Sequence, residues 1–124
     1  MPILTAPQGP THSLSGTEFT SLATPSRGSN DLSVWTVEIA PGTPATPHAL
    51  TREEVFVVLA GVASASIDGI AGEAHPGDAI VVPAGQQLAL TNAGPSTLRL
   101  LCCMPVGGQA RLADGTMLTP PWSQ

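Results

Sequence analysis

Residues 42–61 read GTPATPHALTREEVFVVLAG, and residues 77–92 read GDAIVVPAGQQLALTN. Each stretch begins with glycine and ends with glycine or asparagine, residues that favour turns. Between the turns, residues 54–60 and 79–82 are runs of β-branched and apolar residues, which are typical of strands. The run over 54–60 suits a strand that is covered on both faces. The two stretches therefore predict short strands joined by tight turns.

The rest of the chain continues this pattern. Residues 32–39 alternate, with Trp35, Val37 and Ile39 on one face, which predicts a half-buried strand. Further strands are expected over 62–67, 88–91 and 97–104, and no segment has the pattern of an amphipathic helix. Glycine and proline number 13 each. Such closely spaced short strands predict an all-β sandwich or jelly-roll barrel.

The two opening stretches together resemble the signature motifs of the cupin superfamily, which read G-x5-H-x-H-x3-E-x6-G and G-x5-P-x-G-x2-H-x3-N. His48 and Glu54 stand at two of the family's metal-ligand positions, whereas Leu50 and Leu88 stand where the family has two further histidines. The turn residues agree throughout with the family pattern: Gly42, Gly61, Gly77, Pro83, Gly85 and Asn92.

The resemblance implies an all-β fold, the double-stranded β-helix or jelly-roll barrel of the cupin type. We expect a single domain over residues 1–124, with the core motifs at 32–105, an N-terminal arm at 1–31 and a C-terminal tail at 106–124. The arm is expected to be irregular or to form a single edge strand, and Trp122 to anchor the tail. The resemblance also implies a homodimer, which would cover exposed sheet edges.

The resemblance further implies a centre where three imidazoles and one carboxylate converge on a divalent metal. Here only His48 and Glu54 remain, and two protein ligands are few for zinc or non-haem iron. Leucine at the other two positions makes the surroundings apolar, which disfavours a charged ion. We therefore expect no firmly held cofactor, and a weak or absent site for Zn, Fe, Mn or Ni at His48 and Glu54. Gln87, His12 or a cysteine could supply a further donor.

The expected functional site is a pocket centred on a His48–Glu54 pair. On a strand, residues two apart face the same way, so His48 and Leu50 should both point inward. The two polar side chains are expected to hydrogen-bond to each other, and such a pair could act as a general acid and base. The remaining pocket residues are expected to be Leu50, Phe56, Val58, Gln87, Leu88, Leu90 and Cys102.

Three functions remain open, because the fold itself does not choose among them. The first is binding of a small molecule in a largely apolar pocket. The second is an isomerase, lyase or dioxygenase type of enzyme that uses His48 and Glu54, with or without a divalent metal. The third is a non-catalytic structural or dimerisation module in which Leu50 and Leu88 close the pocket.

Composition excludes other classes of function. The net charge is −5, with four arginines and no lysine, so we expect neither nucleic-acid binding nor a basic membrane patch. No apolar run is long enough to span a membrane and no secretory signal is visible, so the expected location is the cytoplasm. The two tryptophans, two phenylalanines and absent tyrosine argue against a stacking platform for sugars or bases.

The only cysteines, Cys102 and Cys103, are adjacent. Neighbouring residues on a strand point to opposite faces, so a disulfide between them is geometrically poor. We expect two reduced thiols, one of which faces inward. No neighbouring base is evident in the sequence that would lower a thiol pKa.

Overall fold

A computed structural model describes residues 3–124, which form an almost entirely β structure. Within this part of the chain, no helix has the length and apolar character needed to cross a membrane. Two short 3-10 helical turns lie at Pro25–Arg27 and Pro121–Ser123. The strands are β1 (His12–Leu14), β2 (Thr17–Ala23), β3 (Leu32–Ile39), β4 (His48–Leu50), β5 (Glu54–Ala60), β6 (Ala63–Ile67), β7 (Ile70–Ala74), β8 (Ala79–Val82), β9 (Gln87–Asn92), β10 (Leu98–Pro105), β11 (Ala110–Leu112) and β12 (Met117–Leu118).

The strands form two six-stranded sheets in which neighbours pair antiparallel. The first sheet has the order β1-β2-β3-β10-β5-β8, and the second has the order β12-β11-β4-β9-β6-β7. Inward-facing residues of both sheets form one hydrophobic core, including Trp35, Leu88 and Leu100, each at most 2% exposed. The predicted all-β jelly-roll class is therefore confirmed.

Several strands lie where the sequence pattern predicts them. The bounds of β3, β5 and β8 agree with the predicted runs, and β6, β9 and β10 agree to within one residue at each end. The inner face predicted for β3 is also correct, since Trp35, Val37 and Ile39 are all buried. The prediction that β5 is covered on both faces is wrong at its carboxyl end, where Leu59 is 41% exposed.

The arm and the tail contain more regular structure than their composition suggests. The arm supplies two strands, β1 and β2, and β2 pairs along β3. The tail supplies β11 and β12, and β11 pairs with β4. These strands are short or polar and gain their hydrogen bonds from adjacent strands that lie far away in the sequence, which no local pattern reveals. Met1 and Pro2, the first residues of the predicted arm, lie outside the described residues.

Two framework residues of the motifs hold neighbouring segments together. Gly61 has φ +84°, and a Cβ atom there would lie 2.8 Å from the Thr97 carbonyl oxygen, so only glycine fits without strain. The Asn92 amide donates hydrogen bonds to the carbonyl oxygens of Ile39 (2.9 Å) and Ser96 (2.7 Å). Both residues therefore connect the end of one strand to the start of another.

Candidate functional site

The second sheet brings His48, Leu50 and Leu88 to one face. His48 pairs directly with Leu88 across β4 and β9, and Leu50 follows two residues later on the same side of β4. Glu54 opens β5 in the first sheet, where it pairs with Val82. The four positions that correspond to the family's ligands therefore meet between the two sheets, because the motif spacing places each at the start or inner face of its strand.

These side chains line an interior cavity of about 210 Å³. Of the expected pocket residues, Leu50, Phe56, Leu88 and Leu90 line the cavity together with His48 and Glu54.

The other three expected pocket residues lie elsewhere. Val58 and Cys102 are buried in the core but are not among the cavity-lining residues. Gln87 is exposed, and its backbone N–H donates to the Asp68 side chain at 2.6 Å. Strand alternation explains this position, since Gln87 and Leu88 must face opposite ways.

The expected hydrogen bond between His48 and Glu54 is absent. Within residues 3–124, no hydrogen bond or ion pair joins the two side chains. The Nδ1 atom of His48 instead lies 2.7 Å from the Thr46 carbonyl oxygen. The backbone of Thr46, two residues earlier in the segment that precedes β4, offers a nearby acceptor, whereas Glu54 belongs to the opposite sheet.

The hydrogen bond to Thr46 determines which ring nitrogen of neutral His48 carries the proton. A carbonyl oxygen can only accept, so Nδ1 must donate. In the neutral ring, Nε2 then holds the free lone pair. His48 therefore offers a hydrogen-bond acceptor, or a base, through Nε2.

Glu54 is a buried carboxyl group that makes no ion pair within the described residues, 3–124. The residue is only 4% exposed, and burial raises the pKa of its carboxyl from 4.5 to about 8. Desolvation is the cause, since an apolar environment disfavours the ionised form. At neutral pH the carboxyl is mostly protonated, so it can donate a hydrogen bond or a proton.

The two cysteines are free thiols, as expected, and Cys102 is the buried one. Burial raises the pKa of Cys102, and the nearby Glu54 and Cys103 raise it further. Burial and Glu54 also raise the pKa of Cys103. Thiols whose pKa is raised in this way are poor nucleophiles and poor metal ligands.

The donor set does not fit a metal centre. Within residues 3–124, no cluster of three or more His, Cys, Asp or Glu side chains is placed to hold a metal ion. His48 and Glu54 supply one nitrogen and one mostly protonated carboxyl, and Leu50 and Leu88 supply no donor. A divalent ion would meet too few ligands and an apolar wall.

Sequence reasoning missed the aromatic character of the cavity. All four aromatic residues of the chain line it: Phe19, Trp35, Phe56 and Trp122. Phe19 and Trp122 stack on each other, with ring centroids 3.7 Å apart and an interplanar angle of 5°. The alternation of β3 already placed Trp35 inward, but no sequence signal connects Phe19 in the arm with Trp122 in the tail. The low number of aromatic residues therefore does not predict how aromatic the cavity is, because the fold places all four rings along the same cavity.

One end of the cavity is formed by residues that solvent also reaches. Leu14 and Leu118 both line the cavity, yet they are 60% and 40% exposed. Pro44 and Thr46 are lining residues that are likewise exposed. The cavity therefore opens to solvent between the arm, the tail and the segment that precedes β4.

Solved structures with the same fold include three proteins of different kinds. KdgF from Halomonas sp. is 21% identical, with a TM-score of 0.69 over 79% of this chain and 86% of that one. The polyketide cyclase RemF from Streptomyces resistomycificus is 23% identical, with a TM-score of 0.73 over 89% and 80%. Vicilin from Corylus avellana (hazelnut) is 20% identical, with a TM-score of 0.72 over 85% and 34%.

No curated protein sequence is significantly similar to the chain. A sequence model of the Cupin domain family, in contrast, matches residues 35–104, which is more than half of the chain. This match covers both motifs, strands β4 to β9 and the four positions that meet between the sheets. The chain belongs to the cupin superfamily.

Proposed function

We propose that this protein is a single-domain cupin that binds a small molecule in its interior cavity, with His48 and Glu54 as the polar groups that orient the ligand. Mostly apolar walls with a few convergent polar groups are the usual form of ligand sites. The fold alone does not decide this, since a polyketide cyclase and a vicilin share it at low sequence identity.

The observation that carries the proposal is the cavity of about 210 Å³ beside Leu50 and Leu88. In a purely structural module these leucines would fill the space left by the missing histidines. Protein interiors are normally packed with few voids, and an unfilled apolar space lowers stability. A retained cavity that opens to solvent is more readily explained by an occupant.

The test is a fragment screen followed by NMR, with one variant that fills the cavity. Ala110 lines the cavity and is 5% exposed, so Ala110→Leu adds carbon atoms inside it. Ala113 is exposed, and Ala113→Leu is the matched control. Fragments that bind the wild type should bind Ala113→Leu equally and lose affinity for a folded Ala110→Leu. Fragments that bind both variants alike would place their site outside the cavity and contradict the proposal.

A second candidate is a metal-free enzyme, an isomerase or lyase that moves protons between substrate atoms. The observation in its favour is that Nε2 of His48 is free to act as a base while Glu54 holds a proton in the same cavity. Two groups with different protonation states are the arrangement that general acid–base catalysis requires. For any substrate found, His48→Ala should abolish turnover while the far-UV circular dichroism spectrum stays that of the wild type.

Metal analysis of protein purified without an affinity tag distinguishes this metal-free enzyme from a metal-dependent one. With one imidazole and one buried carboxyl as donors, we expect less than about 0.1 equivalents of Zn, Fe, Mn or Ni. A stoichiometric metal that depends on His48 would contradict the metal-free version.

We also propose that a second copy of the chain covers the edges of β7 and β8. These edge strands carry Ile70 and Val81, which are 79% and 50% exposed, and both line a groove of about 490 Å³. Exposed apolar edges favour association, and lysine on an edge opposes it. Light scattering should report a dimer for the wild type and a monomer for Val81→Lys. A wild-type monomer would contradict the proposal.

A further inference from the structure

The wall of the cavity that the first sheet forms, together with the C-terminal turn, is aromatic. The rings come from β2, β3, β5 and the C-terminal turn, so elements from across the chain each direct an aromatic side chain to one place. Aromatic rings offer flat surfaces that favour offset stacking or edge-to-face contact with another ring. In another protein, a cavity of about 150 Å³ binds benzene. The cavity of about 210 Å³ therefore has room for one substituted ring.

The charged groups that line the cavity are few. His48 and Glu54 are its only titratable lining residues in the described part of the chain, and no arginine is among them. A carboxylate or phosphate on a ligand would therefore lose its hydration without meeting a side chain of fixed positive charge. An unpaired buried charge is strongly unfavourable.

A cationic ligand fits only if Glu54 is ionised. Burial works against that form, because it raises the pKa of the Glu54 carboxyl to about 8. A cage that binds cations would also need free ring faces around the charge. Phe19 and Trp122 instead stack face to face with each other, so each has one face already covered.

We infer that the cavity selects an uncharged ligand built on a single aromatic ring, whose head group carries both a hydrogen-bond donor and an acceptor. The donor would reach Nε2 of His48, which makes no hydrogen bond within residues 3–124. The acceptor would receive the hydrogen bond that the Glu54 carboxyl donates. This inference rests on the proposed function, since it names the chemical class of the ligand for the same site.

The test uses three probes of nearly the same shape and different charge. Benzamide is neutral, benzoate is an anion and benzamidinium is a cation, and all three have a planar head group on one phenyl ring. Both tryptophans of the chain line the cavity, so the two indole Nε1–H signals in a ¹⁵N NMR spectrum report binding there. Each probe is titrated at pH 7.3, below the pKa of the Glu54 carboxyl, and toluene serves as an apolar reference.

We expect benzamide to bind at least about tenfold more tightly than benzoate or benzamidinium, the size of effect that one satisfied buried hydrogen bond supplies. Glu54→Leu should lower the affinity for benzamide about tenfold and still bind toluene, which shows that the cavity is intact. Glu53 is exposed and lies outside the cavity, and Glu53→Gln, the control, should bind benzamide like the wild type.

The outcomes separate this inference from the proposed function. If benzoate or benzamidinium binds as tightly as benzamide, the inference about charge is wrong, while binding in the cavity stands. Equal affinity of the wild type and Glu54→Leu for benzamide would also overturn it, because the acceptor would then have no partner at residue 54. If neither the three probes nor toluene shifts either indole signal, the proposed function itself fails.

Discussion

The molecule contains two sets of imidazole and carboxyl groups in opposite environments. On the surface, His75 lies 3.8 Å from Glu73 and 3.9 Å from Asp78, and all three side chains are more than half exposed. In the interior, His48 and Glu54 line one cavity, and within residues 3–124 no hydrogen bond or ion pair joins them. Glu54 is 4% exposed. The surface set is solvated and its members lie close together, whereas in the interior set Glu54 is removed from water and His48 is half-buried.

The difference shows that burial, rather than proximity of charges, gives a site its chemical character here. Water screens the surface groups, so their ion pairs contribute little to stability. Burial removes Glu54 from water and raises the pKa of its carboxyl to about 8, so this group keeps its proton at neutral pH. A carboxyl group that can donate a proton at neutral pH is therefore available in the interior.

The largest expected effect is on the pH dependence of stability. Glu54 has an ordinary pKa of 4.5 in the unfolded chain and about 8 in the folded one. Above pH 4.5 the unfolded chain releases this proton while the folded chain retains it, so the free energy of unfolding falls as the pH rises to about 8. The total decrease is on the order of 5 kcal/mol.

Urea denaturation at pH 4.5 and pH 8 measures this decrease, and Glu54→Gln should remove most of it. Gln is uncharged at both pH values and similar in shape to the protonated acid. Glu53→Gln, which changes an exposed carboxyl one residue earlier, should keep the wild-type pH dependence. The same slope in Glu54→Gln and in the wild type would show that Glu54 does not hold its proton in the folded state.

The next effect concerns the packing around the interior site. Leu88 is 1% exposed and pairs with His48 across the second sheet. Leu88→Ala should lower the free energy of unfolding by about 3 kcal/mol, because it removes buried carbon atoms and enlarges a cavity. Leu32→Ala makes the same change at a site that is 52% exposed, and should cost less than about 1 kcal/mol. Similar losses in the two variants, measured by chemical denaturation, would contradict the assignment of Leu88 to the core.

A smaller effect is expected at the aromatic wall. Trp122 is half-buried and stacks on Phe19, which connects the tail to β2. Trp122→Ala should lower the free energy of unfolding by about 2 kcal/mol through lost burial and lost ring contact. Trp122→Phe keeps a ring at this position, so its decrease in the free energy of unfolding should be less than half of that for Trp122→Ala. If thermal denaturation gave the same decrease in stability for Trp122→Ala and Trp122→Phe, the ring contact would contribute nothing to the stability of the fold.

The smallest effect is expected in the surface set. His75→Ala removes both ion pairs with Glu73 and Asp78, and should change the free energy of unfolding by less than about 0.5 kcal/mol. The difference in the free energy of unfolding between His75→Ala and the wild type should be smaller still in 1 M salt, where exposed charges are screened. A loss comparable to that of Leu88→Ala would contradict the contrast between the two environments.

The sequence predicts which residues meet in the interior site better than it predicts what they do there. His48, Glu54 and Leu88 lie together because the motif spacing and the two-residue period of strands place them on inner faces. Their hydrogen bonding was not predictable in the same way. The Nδ1 atom of His48 has an acceptor two residues earlier, at Thr46, and takes it in preference to the carboxyl in the other sheet.

The amino-acid sequence by itself determined the all-β class, the central strands and the positions where the ligands of this family are replaced by leucine. These features depend on residue type and spacing within short segments, which can be read locally. The tertiary structure alone decided that β2 and β11 join the sheets, that the rings of Phe19 and Trp122 stack, and that Glu54 is buried. Each of these depends on contacts between segments far apart in the chain, and desolvation follows from the whole packed interior rather than from any one stretch of residues.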